Sequence, residues 1–233
     1  MSVLMLRLAG PLQSWGDGSR FQYRNSRRAP TKSGVLGLLA AAQGRRRTDS
    51  IEDLLNLRFG VRVDQPGVVM TDYQTAHTRG PDKAPVVSYR QYLADAAFVA
   101  GVEAEPTVVE TLAAAVRRPR FPLFLGRRSC PLSGRLFLGV RDGDLESGLA
   151  DEGWVAAEWH RRRQPRRVDL PFYFDSPQGR ESVRDNPVSF SPARRQYEWR
   201  TVANSHVTKE NPDGRPDRDG DGLVDWLGGL EDG

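Results

Sequence analysis

The chain holds a single cysteine, Cys130, with three histidines and three lysines among its 233 residues. One cysteine excludes an internal disulfide, so the sequence predicts a protein of a reducing compartment. The longest apolar run, residues 35–42, falls far short of the roughly 20 residues a membrane helix needs. The first residues enter a strand-like pattern, so a leader peptide is not expected. The expectation is a soluble, cytoplasmic protein with no membrane contact. His77, His160 and His206 are scattered along the chain, which argues against most acid–base catalysis and against a resident metal. Cys130 has no histidine beside it in sequence and reads as a small core residue rather than a nucleophile. No G-x-x-x-x-G-K-[ST] spacing is present, so triphosphate binding is not expected. The sequence therefore predicts no cofactor, no metal and no catalytic residue.

What is abundant is arginine. Of 34 basic residues all but Lys32, Lys83 and Lys209 are arginine. A GC-rich genome would raise the share of arginine everywhere, but it would not cluster it. Residues 1–48 carry nine basic side chains and one acid, Asp17, and residues 117–135 carry six arginines and no acid. Residues 210–233 are the reverse, with eight acids and two arginines. The formal net charge of +4 thus divides into +10 for residues 1–209 and −6 for the end. The planar guanidinium grips phosphate oxygens in pairs and stacks on bases. A body so charged points to a polyanion, and to nucleic acid first.

Periodicity gives the coarse organisation. Residues 3–9 read as a strand with Leu4, Leu6 and Leu8 on one face and Arg7 on the other. Residues 10–31 form a long polar connection, and residues 32–43 an apolar helix. A capping-box-like Ser50-x-x-Asp53 opens a short helix over 51–57. Strands are expected at 59–64 and 68–75 around the turn Gln65-Pro66-Gly67, and an extended stretch over 86–102. Pro106 suits the first turn of a helix to residue 118 with Val109, Leu112, Ala113 and Val116 on its inner face. A strand at 136–140 closes the order β-α-β-β-α-β. That order predicts an α+β, ferredoxin-like (RRM-like) core with helices on one sheet face. Residues 146–209 read as a small β-rich extension, with strands at 154–159, 168–174 and 196–202, and residues 210–233 as an acidic tail.

Two segments invite a phosphate backbone. After the first strand come Gln13, Ser14 and Trp15, an exposed-looking aromatic with two hydrogen-bonding neighbours, then Arg20, Arg24, Arg27 and Arg28. Lys32, Ser33 and Gly34 next open a helix, whose unpaired N–H groups favour an anion. The second segment sets Arg127 and Arg128 between a glycine and a proline just before the closing strand. Tyr89-Arg90-Gln91-Tyr92 combines aromatics with a cation and offers base stacking, or a plain strand with two faces. Tyr73, His77 and Lys83 are close enough in sequence to meet across a hairpin as a metal-free RNA-cleaving set. Asp217-x-Asp219-x-Asp221-Gly222-x-x-Asp225 resembles the front of a calcium loop. Gly228 stands where the bidentate glutamate belongs, so an acidic tail is the favoured reading.

These segments together resemble a known family, the CasD-type subunits of type I-E CRISPR Cascade complexes. The matching text is Leu6-Arg7-Leu8-Ala9-Gly10-Pro11-Leu12-Gln13-Ser14-Trp15-Gly16 and Pro30-Thr31-Lys32-Ser33-Gly34-Val35-Leu36-Gly37-Leu38-Leu39. It continues at Asp72-Tyr73-Gln74-Thr75, Tyr92-Leu93-Ala94-Asp95-Ala96 and Gly126-Arg127-Arg128-Ser129-Cys130-Pro131-Leu132. The islands run over residues 4–140, and their order and spacing are the specific signal; the stretch beyond Leu145 looks less like the family. The resemblance implies an RNA-recognition-motif-like core over 1–145 with a β-hairpin thumb near 77–88. It implies a non-catalytic subunit that holds the 5′ handle of the guide RNA and contacts the Cascade backbone and large subunits, and through the latter target DNA. Related type I-C subunits cut RNA themselves, which keeps a metal-free endoribonuclease as the alternative; an adaptor whose arginines meet acidic protein surfaces is a third possibility.

Overall fold

The computed structural model of the chain describes residues 1–16, 23–76, 86–191 and 196–215. It is a mixed α+β structure built on a mostly antiparallel sheet. Strands β1 (Ser2–Ala9), β4 (Arg58–Gln65), β7 (Ala97–Ala104) and β8 (Phe137–Asp142) lie in the order β4-β7-β1-β8. Each pairing among them is antiparallel. Helices α1 (Lys32–Gln43) and α3 (Pro106–Arg117) join them at the positions expected from the sequence, and the short α2 (Glu52–Leu55) lies within the expected 51–57. Between β4 and β7 the chain leaves the sheet as a hairpin, β5 (Val68–Ala76) and β6 (Val86–Ala94), paired in register from Val68–Ala94 to Ala76–Val86. A second, smaller sheet forms where β6 also takes β2 (Leu12–Gln13) and β3 (Tyr23–Arg24). Of the thumb expected near residues 77–88, residues 77–85 lie outside the described residues and residues 86–88 begin β6.

The alternation in β1 divides the core in two. Leu4, Leu6 and Leu8 pack with the inner faces of α1 and α3, including Val109, Leu112, Ala113 and Val116. Val3 and Met5 point the other way, onto Leu145 and Leu149 of α4 (Leu145–Asp151) and Phe172 and Phe174. Helices therefore cover both faces of this sheet, not the single face that the sequence suggested. A strand buried on both sides reads as a continuous apolar run, and Met5 beside Leu4 and Leu6 was that signal.

The chain beyond residue 145 departs furthest from expectation. Residues 154–159 are not a strand: they lead into a short helix, α5 (Glu158–Arg161). Strand β9 (Arg167–Asp175) pairs with β4, and β10 (Glu181–Ser189) and β11 (Gln196–Glu210) continue the sheet to seven strands in the order β10-β11-β9-β4-β7-β1-β8. Pro187 sits in β10, an edge strand, the one kind of strand that tolerates a missing ladder donor. Among the described residues no helix is long and apolar enough to cross a membrane.

A buried ion pair ties α4 and its following turn to the sheet. Arg62 forks onto Asp64 at 2.8 and 2.9 Å and donates to the carbonyls of Leu149, Glu152 and Gly153 at 2.6–2.7 Å. Burial pushes the Asp64 carboxyl up, against the pull of Arg62. A buried guanidinium needs all its donors met, and the carbonyls at the end of α4 meet them.

Candidate nucleic-acid interface

Two loops at one end of the sheet clamp each other. The Gln13 side chain is buried and donates to the carbonyls of Leu8 at 3.2 Å and Ala96 at 2.7 Å. Its carbonyl accepts the Trp15 indole N–H at 2.9 Å. Trp15 is 1% exposed, so the aromatic that looked like a surface platform lies in the core with its polar tip satisfied, as a buried tryptophan requires. Its ring lies against Gly34, where a Cβ would come within 2.8 Å of Cε3. Ser14 donates its N–H to Leu125 and its hydroxyl to the carbonyl of Gln91. Gly126 holds a left-handed φ of 82°, and a side chain there would stand 1.8 Å from the Ser14 carbonyl oxygen. The loop before α1 and the loop before β8 are thus held together at Ser14 by an approach that a glycine at 126 permits, while Gly34 lets the Trp15 ring lie against α1.

The start of α1 is filled from within. Thr31 caps it, its hydroxyl accepting the Gly34 N–H at 3.2 Å, and the Ser33 hydroxyl lies 3.4 Å from that of Thr31. The Lys32 N–H donates to Asp185 at 2.9 Å, and the Lys32 ammonium, 5% exposed, pairs with Asp175 at 2.9 Å. Arg200 bridges both acids, 2.6 Å from Asp175 and 2.5 Å from Asp185. Burial pulls the Arg200 guanidinium down in pKa, and the two carboxylates more than offset this, leaving it raised. The anion at this helix N-terminus is therefore a carboxylate from β10. In the sequence Lys32 stands without an acid beside it, while the two that meet it lie more than 140 residues away.

The cations that face outward converge on the small sheet. Arg24 pairs in register with Arg90, which in turn stands opposite Asp72. The Arg127 guanidinium donates to the Arg24 carbonyl at 3.0 Å and lies 4.8 Å over the ring of buried Tyr92. Arg27 is tied by its N–H to the Trp15 carbonyl at 2.8 Å, and Arg28 and Arg128 are exposed. The Arg90 Nε donates to Ser88 at 3.3 Å. Alternation in β6 then sends Tyr89 to the face opposite Arg90. There Tyr23 stacks on Tyr89, with centroids 4.9 Å apart and planes 9° from parallel, and Tyr73 meets Tyr89 edge-on at 4.9 Å. Tyr23 is 60% and Tyr73 68% exposed. Three tyrosines in register across three strands form a stacking face, and Arg24 and Arg90, their neighbours in sequence, lie on the opposite face of the same small sheet. The motif around Tyr89 and Arg90 was visible in sequence; its pairing with Tyr23 through a two-residue parallel bridge was not.

Of the remaining candidates, Arg20, His77, Lys83 and Asp217–Asp225 lie outside the described residues. Cys130 is fully buried and burial pushes its thiol up, which leaves it unreactive. His160 lies in α5 and His206 in β11, apart in sequence from Tyr73. Among the described residues no three His, Cys, Asp or Glu side chains cluster to hold a metal ion.

Comparisons with known proteins agree on one family. The family model described as CRISPR-associated protein (Cas_Cas5) matches residues 3–203. The CRISPR system Cascade subunit CasD of Escherichia coli (strain K12) is 39% identical over 159 residues, 60% of this chain and 71% of that protein. A solved chain of a CRISPR RNA-guided surveillance complex superposes with a TM-score of 0.73 at 31% identity, over 93% of this chain and 95% of that one. A crystal structure of a Cas protein superposes with a TM-score of 0.64 at 36% identity, over 91% and 97%.

Proposed function

The chain belongs to the CRISPR-associated Cas5 family, and on that premise we propose that it is a non-catalytic, cytoplasmic subunit of a CRISPR RNA-guided surveillance complex that caps the 5′ handle of the guide RNA. The observation that carries this reading is the tyrosine face of the small sheet. Tyr23 stacks on Tyr89 and Tyr73 meets Tyr89 edge-on, each with ring centroids 4.9 Å apart, and Arg24, Arg90 and Arg127 lie on the same strands or the loop against them. Single-stranded RNA is recognised by such means: splayed bases stack on aromatic rings while guanidinium groups take the phosphates.

The four central strands, in the order β4-β7-β1-β8 with α1 and α3 as crossovers, support the ferredoxin-like, RRM-like reading of residues 1–145. Residues 77–88 then belong to a thumb at the end of β5 and β6, and residues 146–209 to an extension that shares the sheet. In this reading Arg24, Arg27, Arg28, Arg90, Arg127 and Arg128, with Arg20 on the same loop, contact RNA. Gln13, Ser14, Trp15, Lys32, Ser33 and Gly34 hold those contacts in place. The backbone and large subunits of the complex are the protein partners, and target DNA is met through the large subunit.

Purification of the chain with co-expressed partner subunits tests the proposal. The expected result is bound RNA whose molecules share one fixed 5′ end, and a guide precursor whose length is unchanged by this chain alone. Precursor cleaved in EDTA, and lost on His77→Ala, would establish the endoribonuclease instead. Complexes that survive ribonuclease and contain no RNA would establish the adaptor.

A further inference from the structure

A second concentration of arginine follows α5, in the part of the chain where no binding role was anticipated. Residues 158–167 read Glu-Trp-His-Arg-Arg-Arg-Gln-Pro-Arg-Arg. The turn they form is pinned from beneath by Asn211, which is buried. Its side-chain amide donates to the carbonyls of Arg161 at 2.8 Å and Pro165 at 2.9 Å, and its N–H to that of Arg166 at 2.7 Å. The Arg215 N–H adds a bond to Gln164 at 2.9 Å. With its carbonyls held inward, the turn directs its side chains outward: Arg162, Arg163, Arg166 and Arg167 are all exposed.

Trp159 is 48% exposed at the centre of this turn. The Arg163 guanidinium lies 5.3 Å over its ring, and His160 supports it edge-on at 5.6 Å. Burial and the charge of Arg163 lower the His160 pKa, which favours the neutral imidazole beside the ring. An exposed indole braced by a cation, on a rigid turn, is unusual for a surface that meets only water. Three acids pair with the cluster, Glu158 with Arg162, Asp213 with Arg161 and Glu210 with Arg167, against six arginines including Arg215. The surface keeps a net positive charge, and the surface ion pairs are weak enough to exchange for phosphates.

We propose that the α5 turn is a second polynucleotide-binding surface, at which a single strand stacks a base on Trp159 and lays its phosphates on Arg162, Arg163 and Arg166. The charge complementarity names the class of ligand and the open indole names its form: a duplex buries its base faces, whereas a single strand offers them. The surface is built from α5 and the end of β11, and stands whether or not the tyrosine face takes RNA.

Binding of labelled oligothymidylate to the full chain, followed by fluorescence anisotropy across a salt series, tests it. Trp159→Ala is expected to weaken binding about tenfold, the loss of one stacked base, and Trp159→Phe to retain most of it. The pair Arg162→Gln and Arg163→Gln is expected to lower the salt slope by about 1.4, two phosphate contacts on a single strand. Both side chains are exposed, so this pair carries the test even where Trp159→Ala lowers the melting temperature. The pair Arg24→Ala and Arg127→Ala reports separately on the small sheet, and the control pair Arg46→Gln and Arg47→Gln, exposed and outside both surfaces, is expected to leave the oligothymidylate affinity within about twofold. No binding by the unaltered chain, unchanged binding by the α5 variants, or loss confined to the Arg24 and Arg127 pair each overturns the proposal.

Discussion

Asp185 accepts the backbone N–H of Lys32 at 2.9 Å, so the first helix carries its own anion. A helix start with a lysine, a serine and a glycine invites a phosphate, and the chain has answered that invitation from β10. With that position taken, the proposed RNA surface lies one layer outward, on the arginines and tyrosines that the clamped loops present.

The first prediction concerns stability. Asp185 is buried and receives Lys32 and Arg200. Asp185→Ala leaves a buried guanidinium short of a partner and is expected to cost about 3–5 kcal/mol, read as a large drop in the thermal midpoint. A small drop would mean that the network is open to water. Lys32→Ala is likewise expected to act on stability first and on RNA binding second.

A second substitution isolates the stacking face. Tyr23 is exposed and its ring contact is with Tyr89. Tyr23→Ala is expected to weaken binding of the co-purifying guide RNA about tenfold with little change in melting temperature, whereas Tyr23→Phe keeps the stack and the affinity. Filter binding on both variants reads the difference.

The loop clamp makes a third. Gly126→Ala places a methyl group 1.8 Å from the Ser14 carbonyl at a left-handed φ of 82°. Conformational strain alone is worth about 1–3 kcal/mol, and the clash forces the loops apart. The expected outcome is lower stability together with lost RNA affinity, since Arg127 and Arg24 separate. Gly153→Ala, at a glycine with open space around it, serves as the neutral control.

The fourth prediction is a pH dependence. Asp144 caps α4 by accepting the Ser147 N–H at 2.8 Å, and that bond with the Ser147 hydroxyl holds its carboxyl below the usual carboxylate range. A carboxyl lowered in the folded state binds fewer protons there than in the unfolded chain. Its stabilisation is therefore complete above the unfolded value, about 3.9, and is lost as pH falls through the folded one. Asp144→Ala is expected to cost about 1 kcal/mol at neutral pH and progressively less below about pH 4, measured by urea denaturation across the range.

Local signals carried the elements that local physics decides. The bounds of α1 and the buried stripe Val109, Leu112, Ala113 and Val116 of α3 follow from periodicity and from Pro106, and the structure places them there. What failed depended on distant partners. Trp15 looks free because Gln13 and Gly34, which enclose it, say nothing of enclosure in sequence. Residues 154–159 alternate like a strand, yet Trp154 and Val155 are drawn onto Asp64 at the end of β4. Residues 181–189 carry charges and a proline and did not read as a strand; pairing with β11 at the sheet edge makes them one. The extended stretch over 86–102 divides at Asp95, whose positive φ of 55° sends β6 and β7 into different sheets. Register alone puts Tyr23 on Tyr89.

Ultraviolet cross-linking of the purified complex to its own bound RNA, with the linked peptides identified by mass spectrometry, reads the central claim directly. Cross-links at Tyr23, Tyr73 or Tyr89 to nucleotides from the 5′ end of the guide are the predicted result. Cross-links from that end that fall wholly on other residues of this chain, or on other subunits, would contradict it.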